Sequence, residues 1–249
     1  MDIHKPKPWH GWREFGKELA TIVLGVLIAL GAEQAVEALH WAERTEKTKA
    51  HLRAELANAT VAAQAHITQE ACEYAMLDRL QQSLLQPGDE WKPPYVVTRP
   101  DGAILGIYVA PIGGFGSQGW KNAQADGTAN HLGEGDEEKF ENAYDLVAAS
   151  AAANDAVHGI ASELNSLALA RRLDPQSRTE YLRMITKLRE DVRYMATNGR
   201  LILEATKDLG VKPGKLEDYG PSLKVYQAVC DQFRAGKPVI TIVPPKMGA

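Results

Sequence analysis

An unbroken apolar run, Leu19-Ala-Thr-Ile-Val-Leu-Gly-Val-Leu-Ile-Ala-Leu-Gly-Ala32, separates a polar, basic-leaning leader from a long charged stretch that keeps a helical period. At about 14 residues the run is shorter than the roughly 20 needed to cross a bilayer core. It reads as a buried core helix, a cleaved signal peptide with Ala29-Leu30-Gly31 at the cleavage point, or a span completed by its flanks. The flanks favour the span. The pattern continues through Glu33-Gln-Ala-Val-Glu-Ala-Leu39 with no proline, and a tryptophan stands at each end, Trp12 and Trp41. Their separation corresponds to ~43 Å of helix, close to the ~40–45 Å of core plus headgroups, and tryptophan prefers those interfaces.

Beyond residue 41 the chain carries neither proline nor glycine until Pro87-Gly88, and Leu52, Leu56, Ala63, Ile67, Ala71, Tyr74, Leu77, Leu80 and Leu84 recur near the helical period. The pattern predicts the membrane helix continuing outward as a stalk. Residues 87–119 are rich in proline and glycine, with room only for short strands at 95–98 and 104–109. Helices follow at about 120–132 and 136–172. Asp174-Pro175 then serves as N-cap and first turn of a helix that Gly210 and Pro213 stop, which makes the last two an antiparallel hairpin. A final helix at 222–235 precedes an extended tail. The expected fold is all-α: a leader (1–18), a transmembrane helix (19–41), a helical domain (42–236) and a tail (237–249).

Charge supplies an orientation. Lys5, Lys7, Arg13 and Lys17 lie before the span, and short basic flanks stay cytoplasmic. Charges after Trp41 (Glu43, Arg44, Glu46, Lys47, Lys49) keep the asymmetry modest. The leader is expected in the cytoplasm of a bacterium and the main body in the periplasm, on the inner membrane.

Across 249 residues, 45% are hydrophobic and 24% charged, which is ordinary globular composition. A net charge of -4 and a pI near 6.0 argue against nucleic acid as a partner. Mean hydropathy of -0.29 excludes a polytopic membrane protein but leaves room for one span. Cys72 and Cys230 are too few for a disulfide scaffold or a four-thiolate zinc site. In an oxidising compartment they are expected to pair, closing a loop worth roughly 5 kcal/mol of chain entropy. The alternative is two buried free thiols.

Candidate chemistry is sparse. Gly114-Phe-Gly116-Ser-Gln-Gly119 fits G-x-G-x-x-G, but the repeated β-α-β frame of a dinucleotide site is missing, so the glycines read as a bent loop. Ser117 is not in G-x-S-x-G, since Phe115 takes the first glycine's place. His66, Glu70 and Glu73 share a helix face with metal-ligand chemistry but have no matching second half, so that face is expected to be solvated. No catalytic, cofactor-binding or metal-binding residue is assigned, no cofactor is implied, and the chain does not read as an enzyme.

The span itself carries a pattern. Gly25, Ala29, Glu33 and Glu37 recur every four residues, small near the centre and acidic toward the outside. With the centre near Val26 and Leu27, Glu33 lies ~10 Å away, inside the ~15 Å half-thickness of hydrocarbon. A carboxylate there is costly unless it snorkels, protonates or meets a polar partner. Small-xxx-small spacing admits a second helix, so the stripe predicts association; the alternative is a glutamate lifted to the headgroups by tilt and thinning.

Trp9-His-Gly-Trp-Arg-Glu-Phe15 followed by residues 22–41 resembles the start of uncharacterised single-pass inner-membrane proteins of alphaproteobacteria. Gly119-Trp120-Lys-Asn-Ala123, with Gly127 and Leu132, is similar to a W-x-x-A-x-x-x-G segment of their outer domains. The resemblance covers the first forty residues closely and the rest loosely. It implies an inner-membrane anchor with a helical periplasmic domain and no particular activity. The leading expectation is an accessory or structural subunit that contacts membrane lipid and either other inner-membrane subunits or itself. A periplasmic ligand-binding sensor acting through a partner comes second, and a periplasmic enzyme with an unrecognised site third.

Overall fold

The computed structural model describes residues 11–110, 114–215 and 221–242. Lys5, Lys7 and Trp9 of the leader, and 243–249 of the tail, lie outside the described residues. The chain is mostly helical. Its dominant element is α1 (Gly11–Leu84), 74 residues without interruption. At ~1.5 Å per residue it is about 110 Å long. Every residue from 11 to 40 is exposed. This overturns the buried-core-helix reading of the apolar run, because no other element among the described residues covers it. The segment is long and apolar enough to cross a membrane.

From Thr45 onward α1 enters the body, burying Leu52, Leu56, Ala63, Cys72, Met76, Leu80 and Leu84. Helix α3 (Asp136–Leu164) starts beside the point of entry, where Asp136 pairs with Lys49 at 2.7 Å, and runs outward alongside α1. Helix α4 (Pro175–Asp208) returns. The Arg178 guanidinium at its start donates to the carbonyl of Leu84, the last residue of α1, and to those of Gln86, Gly88 and Glu90 beyond it, tying the turn after α1 to α4. At its other end the Leu209 carbonyl accepts from Arg53 Nε. Where α1 and α4 cross, Gly199 faces Ala63, and a Cβ at Gly199 would come 3.2 Å from the Ala63 carbonyl oxygen. The missing side chain sets how closely the two helices pack.

The body has two apolar clusters. The one nearer the exposed helix joins Leu52, Leu56, Trp120, Phe140, Tyr144 and Ile202. The outer one joins Met76, Leu80, Trp91, Leu164, Leu188 and Val229. Between α1 and α2 (Gln118–Ala125) lie strands β1 (Glu90–Trp91), β2 (Val96–Thr98) and β3 (Ile104–Gly106). β1 pairs antiparallel with β4 (Arg171–Arg172). The other sheet has the order β3-β2-β5, with β5 (Val239–Thr241) parallel to β2 and following α5 (Pro221–Arg234).

The helical expectation holds in its main outline, with β2 and β3 inside the stretches left open for short strands; β1, β4 and β5 were not expected, and three further differences have identifiable causes. The helix expected over 136–172 stops at Leu164, because the Asn165 Oδ1 accepts the backbone N–H groups of Ile107 and Tyr108. The stretch 120–132 divides at Gly127, whose φ of 77° breaks the helix before a short tight turn at Thr128–His131. The tail is not merely extended, since β5 is zipped to β2 and Ile240 is buried with Tyr226, Val229 and Phe233 of α5. The helix boundary signal at 174–175 behaves as read: Asp174 caps α4, accepting from Ser177 N at 2.8 Å, with Pro175 as first helical residue.

Candidate functional site: a buried polar seam along α1

The described residues after β3, 107–110 and 114–119, are laid back along α1 as a strap. Tyr108 reaches Glu73, Phe115 stacks on His66 with ring centroids 5.8 Å apart, and Gly119 N–H meets Glu55. This covering decides the fate of the face carrying His66, Glu70 and Glu73. The expectation of a solvated face fails for two of the three: His66 is 3% exposed and Glu73 2%. Glu70 stays partly open and pairs with Arg200 at 2.9 Å.

Burial sets the protonation of the seam. The Glu73 carboxyl is pushed up to about 7, chiefly by desolvation, with the nearby Glu70 adding to the shift and the hydrogen bond from Tyr108 OH, 2.6 Å, opposing it. His66 is pulled down to about 4 by desolvation, helped by His158, so its imidazole is neutral near pH 7. The Tyr108 and Tyr226 phenols are held well above their ordinary value, first by burial and then by the Glu73 charge. Near pH 7 the Glu73 carboxyl can take up or release a proton while Tyr108 stays protonated and donates to it. Among the described residues it has no group of three His, Cys, Asp or Glu side chains able to hold a metal ion.

Several polar atoms of the seam are buried without a hydrogen-bond partner among the described residues: His66 Nε2, both amide atoms of Gln69, and the Tyr226 hydroxyl. Gln69 lies between His66 and Glu73 on the same face of α1, and Tyr226 comes from α5. Cys72 and Cys230 form a disulfide joining the same two helices, with Cα atoms 5.9 Å apart. Gln69, Cys72, Tyr226 and Cys230 all stand in the wall of a half-open cavity of about 280 Å³, with Asp231 and Arg234 also bounding it.

The glycine motif serves a different purpose from the one its pattern suggests. Gly119 N–H donates to both Glu55 carboxylate oxygens, at 3.2 and 3.1 Å, and Tyr144 OH donates to the same carboxylate at 2.7 Å. A Cβ at Gly119 would approach Glu55 Oε2 to 2.7 Å. The start of α2, where a phosphate would sit, is thus filled by the chain's own carboxylate.

Comparison with known proteins yields no family model, curated protein or solved structure that matches this chain.

The remaining residues singled out from the sequence lie away from the seam. Gly25, Ala29, Glu33 and Glu37 are exposed on the bare part of α1, and so is Trp12. Trp41 is engaged by the body: His131 stacks on it at 3.8 Å between centroids, and the Arg44 guanidinium lies 5.3 Å from its ring centre. Just beyond it, a groove of about 440 Å³ is lined by His40, Arg44, Lys47, His51 and Asp126 among others. Arg44 pairs there with Asp126 at 2.8 Å and Lys47 with Glu43 at 2.6 Å, so its charges largely satisfy one another. Sequence reasoning missed Glu55, Gln69, Tyr108 and Tyr226. A glutamine and two tyrosines in helical or loop sequence carry no motif, and only the tertiary contacts make them a group.

Proposed function

We propose that this chain is a single-pass inner-membrane protein whose helical body stands in the periplasm, and that it acts as an accessory or structural subunit of a membrane assembly. The observation that carries the reading is the bare apolar stretch of α1, exposed at every residue from 11 to 40 and continuous with a folded body. Exposed apolar surface on that scale needs lipid or another protein around it. The basic leader supports a cytoplasmic N-terminus, and the Cys72–Cys230 pair suits an oxidising compartment. Within the span, Gly25 and Ala29 leave room for close helix approach, and Glu33 supplies a polar group that a partner helix would satisfy.

Two measurements test this. Single cysteines at Lys5 and Lys212, labelled in intact cells with an impermeant thiol reagent, should react only at Lys212. Labelling at Lys5 alone would reverse the topology. Native-gel migration and co-purification from mild detergent should identify a stoichiometric companion or a self-assembly. Ala29→Leu should disrupt it by bulk, and Glu33→Leu by removing the polar contact. Unchanged assembly in both variants would reduce the stripe to a simple anchor.

A further inference from the structure

We propose that the half-open cavity between α1 and α5, bounded by the Cys72–Cys230 disulfide, binds a small uncharged molecule that presents a planar amide-like edge. The cavity, about 280 Å³, lies below the 300–1,000 Å³ of typical drug-sized sites, so its occupant is of small-metabolite size. Two wall residues, Gln69 and Tyr226, are each 3% exposed, yet neither amide atom of Gln69 nor the Tyr226 hydroxyl has a hydrogen-bond partner among the described residues. Leaving such groups buried and unpaired is costly, and a ligand able to pair with the Gln69 amide would remove that part of the cost. The Gln69 amide carries a donor and an acceptor side by side. Its complement is another such edge: a lactam, a primary carboxamide or the edge of a nucleobase. No hydrogen bond fixes the amide, and the terminal torsion of glutamine is broad, so turning its edge into the cavity meets little resistance.

The wall also argues for an uncharged occupant. The charged residues bounding the cavity, Asp231 and Arg234, are exposed and 3.8 Å from each other, so they compensate one another in solvent. The disulfide and the Tyr226 ring supply apolar surface for the body of the ligand. This site is independent of the membrane reading, since it involves no residue of the bare stretch of α1.

The test uses the full-length protein in detergent and two compounds, 2-pyrrolidone and N-methyl-2-pyrrolidone. They have the same ring, but only the first has an amide N–H. Ligand-observed NMR and thermal shift should register saturable binding of 2-pyrrolidone. Binding of the N-methyl compound should be at least about tenfold weaker, the size expected when a buried polar pair is left unmade. Gln69→Met keeps the side-chain length, so it should weaken 2-pyrrolidone binding by a similar factor while leaving the unliganded protein as heat-stable as wild type or more so. Absence of 2-pyrrolidone binding overturns the proposal, as does equal binding of both compounds or undiminished binding by Gln69→Met. A lower melting temperature for unliganded Gln69→Met would mean that ordered water or another group already satisfies the amide, which overturns it too.

Discussion

His66 and Glu73 stand about two turns apart on α1, and burial drives their ionisation in opposite directions. His66 falls from 6.5 in the unfolded chain to about 4, so its contribution to stability is lost as pH drops from 6.5 to 4. Glu73 rises from 4.5 to about 7, so its contribution is present below 4.5 and lost as pH climbs to 7. At about 1.4 kcal/mol per pH unit the two slopes cancel between roughly pH 4.5 and 6.5. Wild type should therefore show nearly flat denaturant midpoints across that window. Glu73→Gln should unmask a rise from pH 4 to 6.5, and His66→Gln a fall from pH 4.5 to 7, each up to about 3 kcal/mol by the same linkage. The lowered Asp126, Asp136 and Asp174 carboxyls act below this window and are common to all three proteins. Parallel profiles for wild type and both variants would contradict this account. The helical spacing of His66 and Glu73 was visible in the sequence, but their burial was not. It depends on Tyr108 and Phe115, which return along α1 only once the chain has turned back.

Among the elements, boundaries written in local chemistry were legible and those set by distant partners were not. Asp174-Pro175 opens α4 and Gly210, at φ 65°, follows its end, both as the local pattern predicts. The stop at Leu164 depends on Ile107 and Tyr108, more than fifty residues upstream of Asn165, and nothing near 164 announces it. The crossing of α1 and α4 at Gly199 gives a direct test of packing. A Cβ there already falls 3.2 Å from the Ala63 carbonyl oxygen. Gly199→Leu should push the helices apart and lower stability by about 1–3 kcal/mol in thermal or chemical denaturation. A change below about 0.5 kcal/mol would mean the interface has slack.

For the molecule as a whole, the pairing of Cys72 with Cys230 was expected from an even pair of cysteines together with an oxidising compartment, with two free thiols as the alternative, while the sheet that shares the task of holding the C-terminal region was not legible. Three-residue strands such as β5 carry little periodicity, and β2 lies far away in sequence. The disulfide spans 158 residues. Loop closure on that scale is worth up to roughly 5 kcal/mol. Cys230→Ser should lower the melting temperature and speed proteolysis beyond α4. With β5 still paired to β2 and Phe233 still buried, it should not release the region completely. Two free thiols in non-reduced protein taken from its native compartment would remove the bond from this account.

The unbroken course of α1 has a rotational consequence. At about 3.6 residues per turn, thirty-six residues make ten turns, so Glu33 and Gln69 point along nearly the same bearing, as do Glu37 and Glu73. Such a helix acts as a shaft with a fixed phase. In the proposed membrane setting, the acidic stripe and the α1 side of the cavity therefore belong to one continuous helix and share a bearing, tens of ångströms apart, with no break in the helix between them.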